Sequence, residues 1–333
     1  MDFDESKPFI YDMPVIVREF IAEVLGTFVQ ILLGLCSLFV VNILPSYATR
    51  IYTESGYEYC KSLPKNDTSC LGRRQSTIVY NIDLVGLKII MIAFTWASGT
   101  FAGLVLSLPI SGGYHNPGIS IAMATLSRLS WKSLLHLLPA QYLAVILSAG
   151  STHLMFYEYM PTPELKEFYI GYAMIPSPHK EINGLTMSFI DSFISCFLYS
   201  LVLFATLDTK GNPMGRHFQP IMCSFFLFSL IFFHVINKNG VPFNPARDLG
   251  TRLYAAFIVG FEKAFGQFSY LFWLSQQLST VLGFICGAWI YVTFFGLPET
   301  TLVLGDEPNK KVSDYHKIKT TVNQKSDKTI KSP

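Results

Sequence analysis

The stretch SGGYHNPGIS, Ser111–Ser120, places an Asn-Pro pair in a largely apolar part of the sequence. A second pair occurs at Asn244 in NGVPFNPARDLG, again beside apolar segments. Asn is favoured at the N-cap of a helix, and Pro at the first helical position, where its missing N–H costs nothing. The pairs therefore predict helix starts at Asn116 and Asn244. The helices that follow, 117–128 and 245–257, are too short to cross a bilayer, so we expect half-helices.

The composition indicates a membrane protein. Of the 333 residues, 50% are hydrophobic and 14% are charged, whereas soluble domains carry about 25% charged residues. The formal net charge is only +2, which gives no strongly basic surface for a nucleic acid. We therefore expect membrane lipid as a partner and no nucleic acid.

Six apolar segments are long enough to cross a bilayer as helices, since a span needs about 20 apolar residues. They are residues 15–44, 84–108, 132–156, 184–207, 218–238 and 269–296. The polar segments between them include a long loop, 45–83, and a connecting loop, 157–183. An N-terminal segment, 1–14, precedes the first span, and a basic tail, 297–333, follows the last.

The two halves of the chain, 15–156 and 184–296, repeat one pattern. Each half has an acidic residue in its first span, Glu23 or Asp191, followed by a second span, an Asn-Pro half-helix and a third span. Because three spans is an odd number, the second copy enters the membrane in the opposite sense. The sequence thus predicts an all-α membrane protein with six transmembrane helices and two re-entrant half-helices in an inverted repeat. Transporters use such repeats to bring broken helices to a central site.

Charge and processing signals place both termini in the cytosol. The tail is rich in Lys, which favours a cytosolic C-terminus, and an even number of spans puts the N-terminus on the same side. The loop 45–83 then lies outside the cell, although its own basic residues oppose this. There, Cys60 and Cys70 can form a disulfide, and Asn66, in an Asn-Asp-Thr sequon, can be glycosylated. We expect an integral protein of the plasma membrane.

The chain resembles the major intrinsic protein (aquaporin) family over about residues 15–296. The resemblance rests on AEVLGTF around Glu23, on ISGGYHNPGIS, on FID ending at Asp191, and on GVPFNPARDLG. Asp248, directly after Asn-Pro-Ala-Arg, resembles the mark of the glycerol-conducting branch, the aquaglyceroporins. The resemblance implies a homotetramer in which each subunit has its own pore.

A pore of this family gives specific roles to the two Asn-Pro loops. Asn116 and Asn244 would donate side-chain N–H groups to the permeant, between facing helix N-termini that repel cations and protons. Backbone carbonyls before each asparagine would form a row of acceptors along one wall. These carbonyls belong to Gly112, Gly113, Tyr114 and His115 in the first loop and to Asn239, Gly240 and Val241 in the second.

The resemblance also implies a selectivity filter. Trp96 and Arg247 match filter positions by their spacing from the pore asparagines, and Val241 is a third member. An Arg within a membrane segment is costly unless it faces a cavity or a partner. Its planar guanidinium offers several donors to passing hydroxyl groups, and the alternative is a structural bond to Asp248 or to a carbonyl.

The fourth filter position is ambiguous. Counting fifteen residues back from Arg247 gives Phe232, where glycerol conductors usually have a small residue. A Phe opposite Trp96 would narrow the pore. A one-residue slip in the loop would place Ile231 or Phe233 there instead.

Three further residues have structural interpretations. Glu23 and Asp191 are ionisable groups inside spans, and we expect them to fix the pore loops by accepting hydrogen bonds from backbone N–H groups. Gly118 stands where the family usually has Ala. The loss of that methyl group would loosen the packing or widen the constriction.

These features predict a passive channel for water, glycerol and other small uncharged solutes that excludes ions and protons. The sequence has no phosphate-binding loop, metal-ligand cluster, nucleophile–base pair or haem signature, so we expect no enzyme activity, cofactor or metal. The alternatives are a water-selective or closed aquaporin-like protein with a structural or adhesive role, and a coupled secondary transporter, which shares inverted repeats.

Overall fold

The computed structural model describes residues 13–62, 73–177, 184–208, 215–237, 241–266 and 269–296, and within these ranges the chain is all-α, as predicted. The long helices are α1 Val15–Ser62, α2 Arg73–Ser107, α4 Leu134–Met155, α6 Gly184–Leu207, α7 Gly215–Asn237 and α10 Tyr270–Phe294. The shorter ones are α3 Pro117–Thr125, α5 Pro163–Lys166, α8 Pro245–Val259 and α9 Phe261–Phe265.

Five of the six long helices contain a stretch with the length and composition of a membrane span. Five stretches of the described chain are long and apolar enough to cross a bilayer: Val15–Asn42, Gly86–Ser107, Leu134–Met155, Leu185–Leu207 and Tyr270–Phe294. The sixth predicted span is α7, with 23 residues or about 34 Å, of which Phe218–His234 is the described apolar stretch. Large apolar side chains such as Phe257, Leu135 and Leu154 are exposed on the outer surface, which suits contact with lipid.

Close glycine contacts set the direction of α2 against α1. A Cβ atom on Gly26 would lie 2.7 Å from Ser107 Oγ, and one on Gly34 would lie 2.3 Å from the Trp96 ring. From Gly26 to Gly34 the residue numbers increase along α1, whereas the numbers of the facing residues decrease along α2, from 107 to 96. The two helices are therefore antiparallel. The glycines allow them to approach closely.

The second repeat has the same internal arrangement. A hydrogen bond between the end of α7 and the start of α6 shows that these two helices are antiparallel. Gly283 and Gly287 of α10 pack against Cys196 and Ser200 of α6, respectively. Because both pairs advance together, α10 is parallel to α6.

Each half-helix packs against a long helix of the other repeat. The half-helix α3 packs on α10, and α8 packs on α4. At each crossing a glycine meets a large side chain of the other repeat: a Cβ on Gly118 would lie 2.6 Å from Phe284 Cδ2, and one on Gly250 would lie 2.7 Å from Val145 Cγ1. The expectation that Gly118 loosens the packing or widens the constriction is therefore wrong, because the Phe284 ring fills the space.

The segment predicted as a long loop, 45–83, is helical throughout its described residues, 45–62 and 73–83. The helix α1 continues to Ser62, and α2 begins at Arg73. The polar composition marks where the apolar span ends, but the hydrogen bonds of a helix can continue into water. The half-helix boundaries shift by less: α3 ends at Thr125 and α8 extends to Val259.

Several predicted features lie outside the described residues or side chains. They are the disulfide between Cys60 and Cys70, the glycosylation at Asn66, the carbonyls of Asn239 and Gly240, and the terminal segments 1–12 and 297–333. The connecting segment 157–183, predicted as a loop, contains α5 and a helical turn, Glu167–Ala173, in which Ile170 is buried.

The contact at Gly118 predicts a loss of stability when a methyl group is added. In Gly118→Ala the new Cβ would meet the Phe284 ring at 2.6 Å, and overpacking of this kind costs about 1–3 kcal/mol. We expect a lower thermal unfolding temperature for the purified protein in detergent.

The matched control for this substitution is Gly150→Ala in α4. A Cβ there would lie 3.4 Å from Tyr254, which is an ordinary contact, so its unfolding temperature should not fall. Equal temperatures for Gly118→Ala and the wild type would contradict the assigned packing.

Candidate functional site

Each half-helix is capped by its asparagine, as the sequence predicts. Asn116 Oδ1 accepts a hydrogen bond of 2.9 Å from Gly118 N. Asn244 Oδ1 accepts from Ala246 N at 2.9 Å and from Arg247 N at 3.3 Å. Capping uses the oxygen of each amide, so each amide nitrogen is left to donate elsewhere.

The two amide nitrogens bond crosswise between the repeats. Asn116 Nδ2 donates to the carbonyl oxygen of Phe243 at 2.9 Å, and Asn244 Nδ2 donates to that of His115 at 2.7 Å. The acceptor in each case is the residue just before the other asparagine. An amide nitrogen carries two hydrogens, so each asparagine keeps one for a further partner.

The residues that supply these carbonyls have an unusual backbone. His115 has a φ of 54° and Phe243 a φ of 58°, in the left-handed region that residues other than glycine rarely adopt. The same conformation at equivalent places in both repeats aims each carbonyl at the opposite asparagine. Such strain persists only where surrounding contacts hold it.

Glu23 is one of those contacts. Its fully buried carboxylate accepts hydrogen bonds from the backbone N–H of His115, from Ser111 Oγ at 2.7 Å and from Gln141 Nε2 at 2.8 Å. The His115 ring is bonded through Nε2 to Ser107 Oγ at 2.5 Å. The structure thus places Glu23 against the first pore loop.

Asp191 bonds a histidine side chain that packs against the second loop. Its Oδ1 lies 2.8 Å from His234 Nε2, and the His234 ring packs edge-on against Phe243 with the centroids 4.9 Å apart. Phe243 is the strained residue before Asn244. The histidine therefore links the acid to the loop, a link that sequence reasoning missed.

A cavity of about 630 Å³ runs past both asparagines. Its wall includes the predicted carbonyl residues Gly112, Gly113, Tyr114, His115 and Val241. Along α2 the wall extends from Ile92 to Leu104, which at 1.5 Å per residue is about 18 Å. The cavity is therefore long and takes its walls from both repeats.

Trp96 and Arg247 meet on the cavity wall. The guanidinium carbon of Arg247 lies 5.5 Å from the centre of the Trp96 ring, and Val241 also lines the cavity. Both larger side chains are buried, at 9% and 8% exposure. Three of the four predicted filter residues are thus on the wall of one cavity.

The Asp248 carboxylate forms hydrogen bonds with residues other than Arg247. Its Oδ1 accepts from Arg252 Nε at 2.8 Å, and its Oδ2 accepts from Gln277 Nε2 at 2.9 Å. Gln277 also donates to the Pro245 carbonyl at 3.3 Å. Asp248 therefore stabilises α8 through the bond to Arg252 and joins α8 to α10 through the bond to Gln277. The sequence alone did not show this role of Gln277.

The predicted filter residue Phe232 does not line the cavity. Its side chain is 38% exposed, and its ring stacks on Phe228 with the centroids 6.1 Å apart. Ile231 is buried and stands on the cavity wall instead, while Phe233 is 57% exposed. Of the three residues that the count left open, Ile231 is therefore the one on the described cavity wall, and one residue of difference turns a helix by about 100°.

Two glycines of α1 make room for the site. Gly34 faces the Trp96 ring, and Gly26 faces the His115 ring, with a Cβ on either lying 2.3 Å from the nearest atom. The residues are eight apart, two turns along one helix face. That spacing was a visible signal in the sequence, but its meaning depends on what packs against it.

Comparison with known proteins agrees with this geometry. The profile of the family described as major intrinsic protein matches residues 11–291. Aquaporin-9 of Mus musculus is 27% identical over 214 residues, which are 62% of this chain and 71% of that protein. Aquaglycerol porin AQY3 of Saccharomyces cerevisiae is 26% identical over 207 residues, which are 61% of this chain and 32% of that protein.

A solved structure shows the same fold. The aquaglyceroporin from Plasmodium falciparum matches 84% of this chain and 97% of its own, with a TM-score of 0.62 and 20% identity. The family profile covers most of the chain, including both half-helices and nearly all of the six long helices. The chain therefore belongs to the major intrinsic protein family.

Proposed function

We propose that the protein is a passive channel, and not an enzyme, that conducts water, glycerol and other small uncharged solutes. The observation that carries the proposal is the long cavity that passes both crosswise-bonded asparagines. The names of the similar proteins, an aquaporin and an aquaglycerol porin, agree with it.

The centre of the cavity suits neutral permeants. Asn116 and Asn244 each keep one N–H to donate, and the half-helices α3 and α8 begin at these residues. Helix N-termini carry a partial positive charge, so two that face one another at the centre repel cations and protons. The carbonyls of the loop before Asn116 supply acceptors on the wall.

The filter consists of Trp96, Arg247, Val241 and Ile231. The Arg247 guanidinium donates to hydroxyl groups, while the Trp96 ring faces the carbon side of the solute. Ile231, which is on the cavity wall, is smaller than Phe232, so a filter with Ile231 is wider than one with Phe232. This width favours glycerol over water alone and weighs against a closed pore with a purely structural role.

The family resemblance supports a homotetramer with one pore in each subunit. The Lys-rich tail supports cytosolic termini in the plasma membrane. In that orientation Asn66, Cys60 and Cys70 lie outside the cell, where glycosylation and a disulfide are chemically reasonable.

Osmotic assays on purified protein in liposomes test the function. In an inward glycerol gradient the vesicles should shrink quickly as water leaves and then re-swell as glycerol enters, both faster than protein-free vesicles. Light scattering in a stopped-flow instrument measures the two phases.

Each other outcome selects a different function. Fast shrinkage with re-swelling at the protein-free rate means a water-selective channel. Dependence of glycerol uptake on an ion gradient means a coupled transporter. Rates equal to those of lipid alone in both phases would contradict any channel.

A pair of substitutions on α7 tests the filter. Ile231→Phe adds a ring at the cavity wall and should reduce glycerol permeability about ten-fold or more. Ten-fold corresponds to a rise of about 1.4 kcal/mol in the barrier to permeation. Water permeability should fall less. Phe232→Ala changes the outer surface and should leave both rates unchanged. The reverse pattern in the re-swelling assay would show that Phe232 lines the pore after all.

A further inference from the structure

Two glutamine side chains on the cavity wall have amide oxygens without a hydrogen-bond partner in the described part of the chain. They are Gln30 on α1 and Gln219 on α7. Gln219 is only 2% exposed. Buried amides normally have partners, and the cavity is where a partner for these two would come from.

Gln30 lies between the asparagines and the filter. It is one helical turn from Gly26, which faces His115, and one turn from Gly34, which faces Trp96. Its Nε2 donates to a threonine hydroxyl of α2 at 2.9 Å. That bond orients the amide and leaves the oxygen as its unused acceptor.

Gln219 lies on the other side of the asparagines. Phe226, seven residues later on α7, stacks on Tyr199, whose ring meets Phe284 edge-on. Phe284 in turn packs against Gly118, so Phe226 marks the level of the channel centre. Seven residues of helix are about 10 Å, which puts Gln219 about that far from the centre, in the half away from Trp96.

The wall around Gln219 is mostly apolar. Leu203 and Leu207 of α6 and Cys223 of α7 line the same part of the cavity. The loop residues from Gly112 to His115 also line the cavity, and their backbone carbonyls are hydrogen-bond acceptors. A solute with several hydroxyl groups can therefore bond to the carbonyls and the amide while its carbon chain contacts the leucines.

We propose that Gln30 and Gln219 are two solute-binding residues, one on each side of the asparagine pair, that hydrogen-bond the hydroxyl groups of small polyols in transit. The proposal rests on the proposed channel function and extends it, since it names residues outside the filter and the pore centre. In both residues the unpartnered atom is the amide oxygen, so each amide would accept a hydrogen bond from a solute hydroxyl group.

Gln219→Met tests the proposal, because Met has a similar shape and cannot make the bond. One hydrogen bond changes an equilibrium by about three- to ten-fold. Glycerol flux at low concentration should fall by that factor, with a higher half-saturating concentration, while water permeability in the same vesicles changes less than about two-fold. Gln219→Asn retains the amide and should keep more of the glycerol flux than Gln219→Met.

The matched control is Ser224→Ala on the same helix. The Ser224 hydroxyl is also buried and without a partner in the described structure, but it is not on the cavity wall, so its loss should change neither flux. If Gln219→Met cannot be reconstituted, Gln30→Met provides the same test and should show the same separation of glycerol from water.

The failure of the proposal is distinguishable from that of the channel function. Wild-type protein that fails to conduct glycerol overturns the function. Wild-type protein that conducts glycerol, with both Met variants conducting equally well, overturns only the role of the glutamines. An equal fall in water and glycerol permeability would also overturn it, because that result indicates a narrowed or distorted pore.

Discussion

The structure depends on two reciprocal hydrogen bonds, from Asn116 to the Phe243 carbonyl and from Asn244 to the His115 carbonyl. Each asparagine caps its own half-helix with its oxygen and binds the opposite repeat with its nitrogen. The two bonds therefore join the half-helices end to end. The remaining amide hydrogens are available to permeants at the one place where both helix dipoles converge.

The other contacts of the site maintain this junction. The left-handed backbone before each asparagine aims the carbonyls, and Glu23 holds the first of these loops directly. Asp191 reaches the second loop through His234. The inverted repeat is thus symmetric in its backbone at the junction, and within the described residues His234 is an additional support of the second loop.

The sequence predicts the elements that depend on local chemistry. Asn-Pro fixes the two half-helix starts, and apolar length fixes the spans, because capping and bilayer thickness act on neighbouring residues. The features that were missed depend on packing at a distance. The exchange of Phe232 for Ile231 follows from the loop between α7 and Asn244, and the role of Gly118 from a ring that is 166 residues away. Polarity, in turn, did not reveal that helices continue into the segment 45–83.

The most direct test of this account is a cryo-electron microscopy map of the protein in lipid nanodiscs with glycerol. The account predicts solute density along the cavity, with a polar atom within about 2.7–3.2 Å of an amide nitrogen of Asn116 and of Asn244. The two crosswise bonds should persist beside it. A map of conducting protein in which the asparagine amides turn away from the solute path, or in which the path avoids them, would contradict the account.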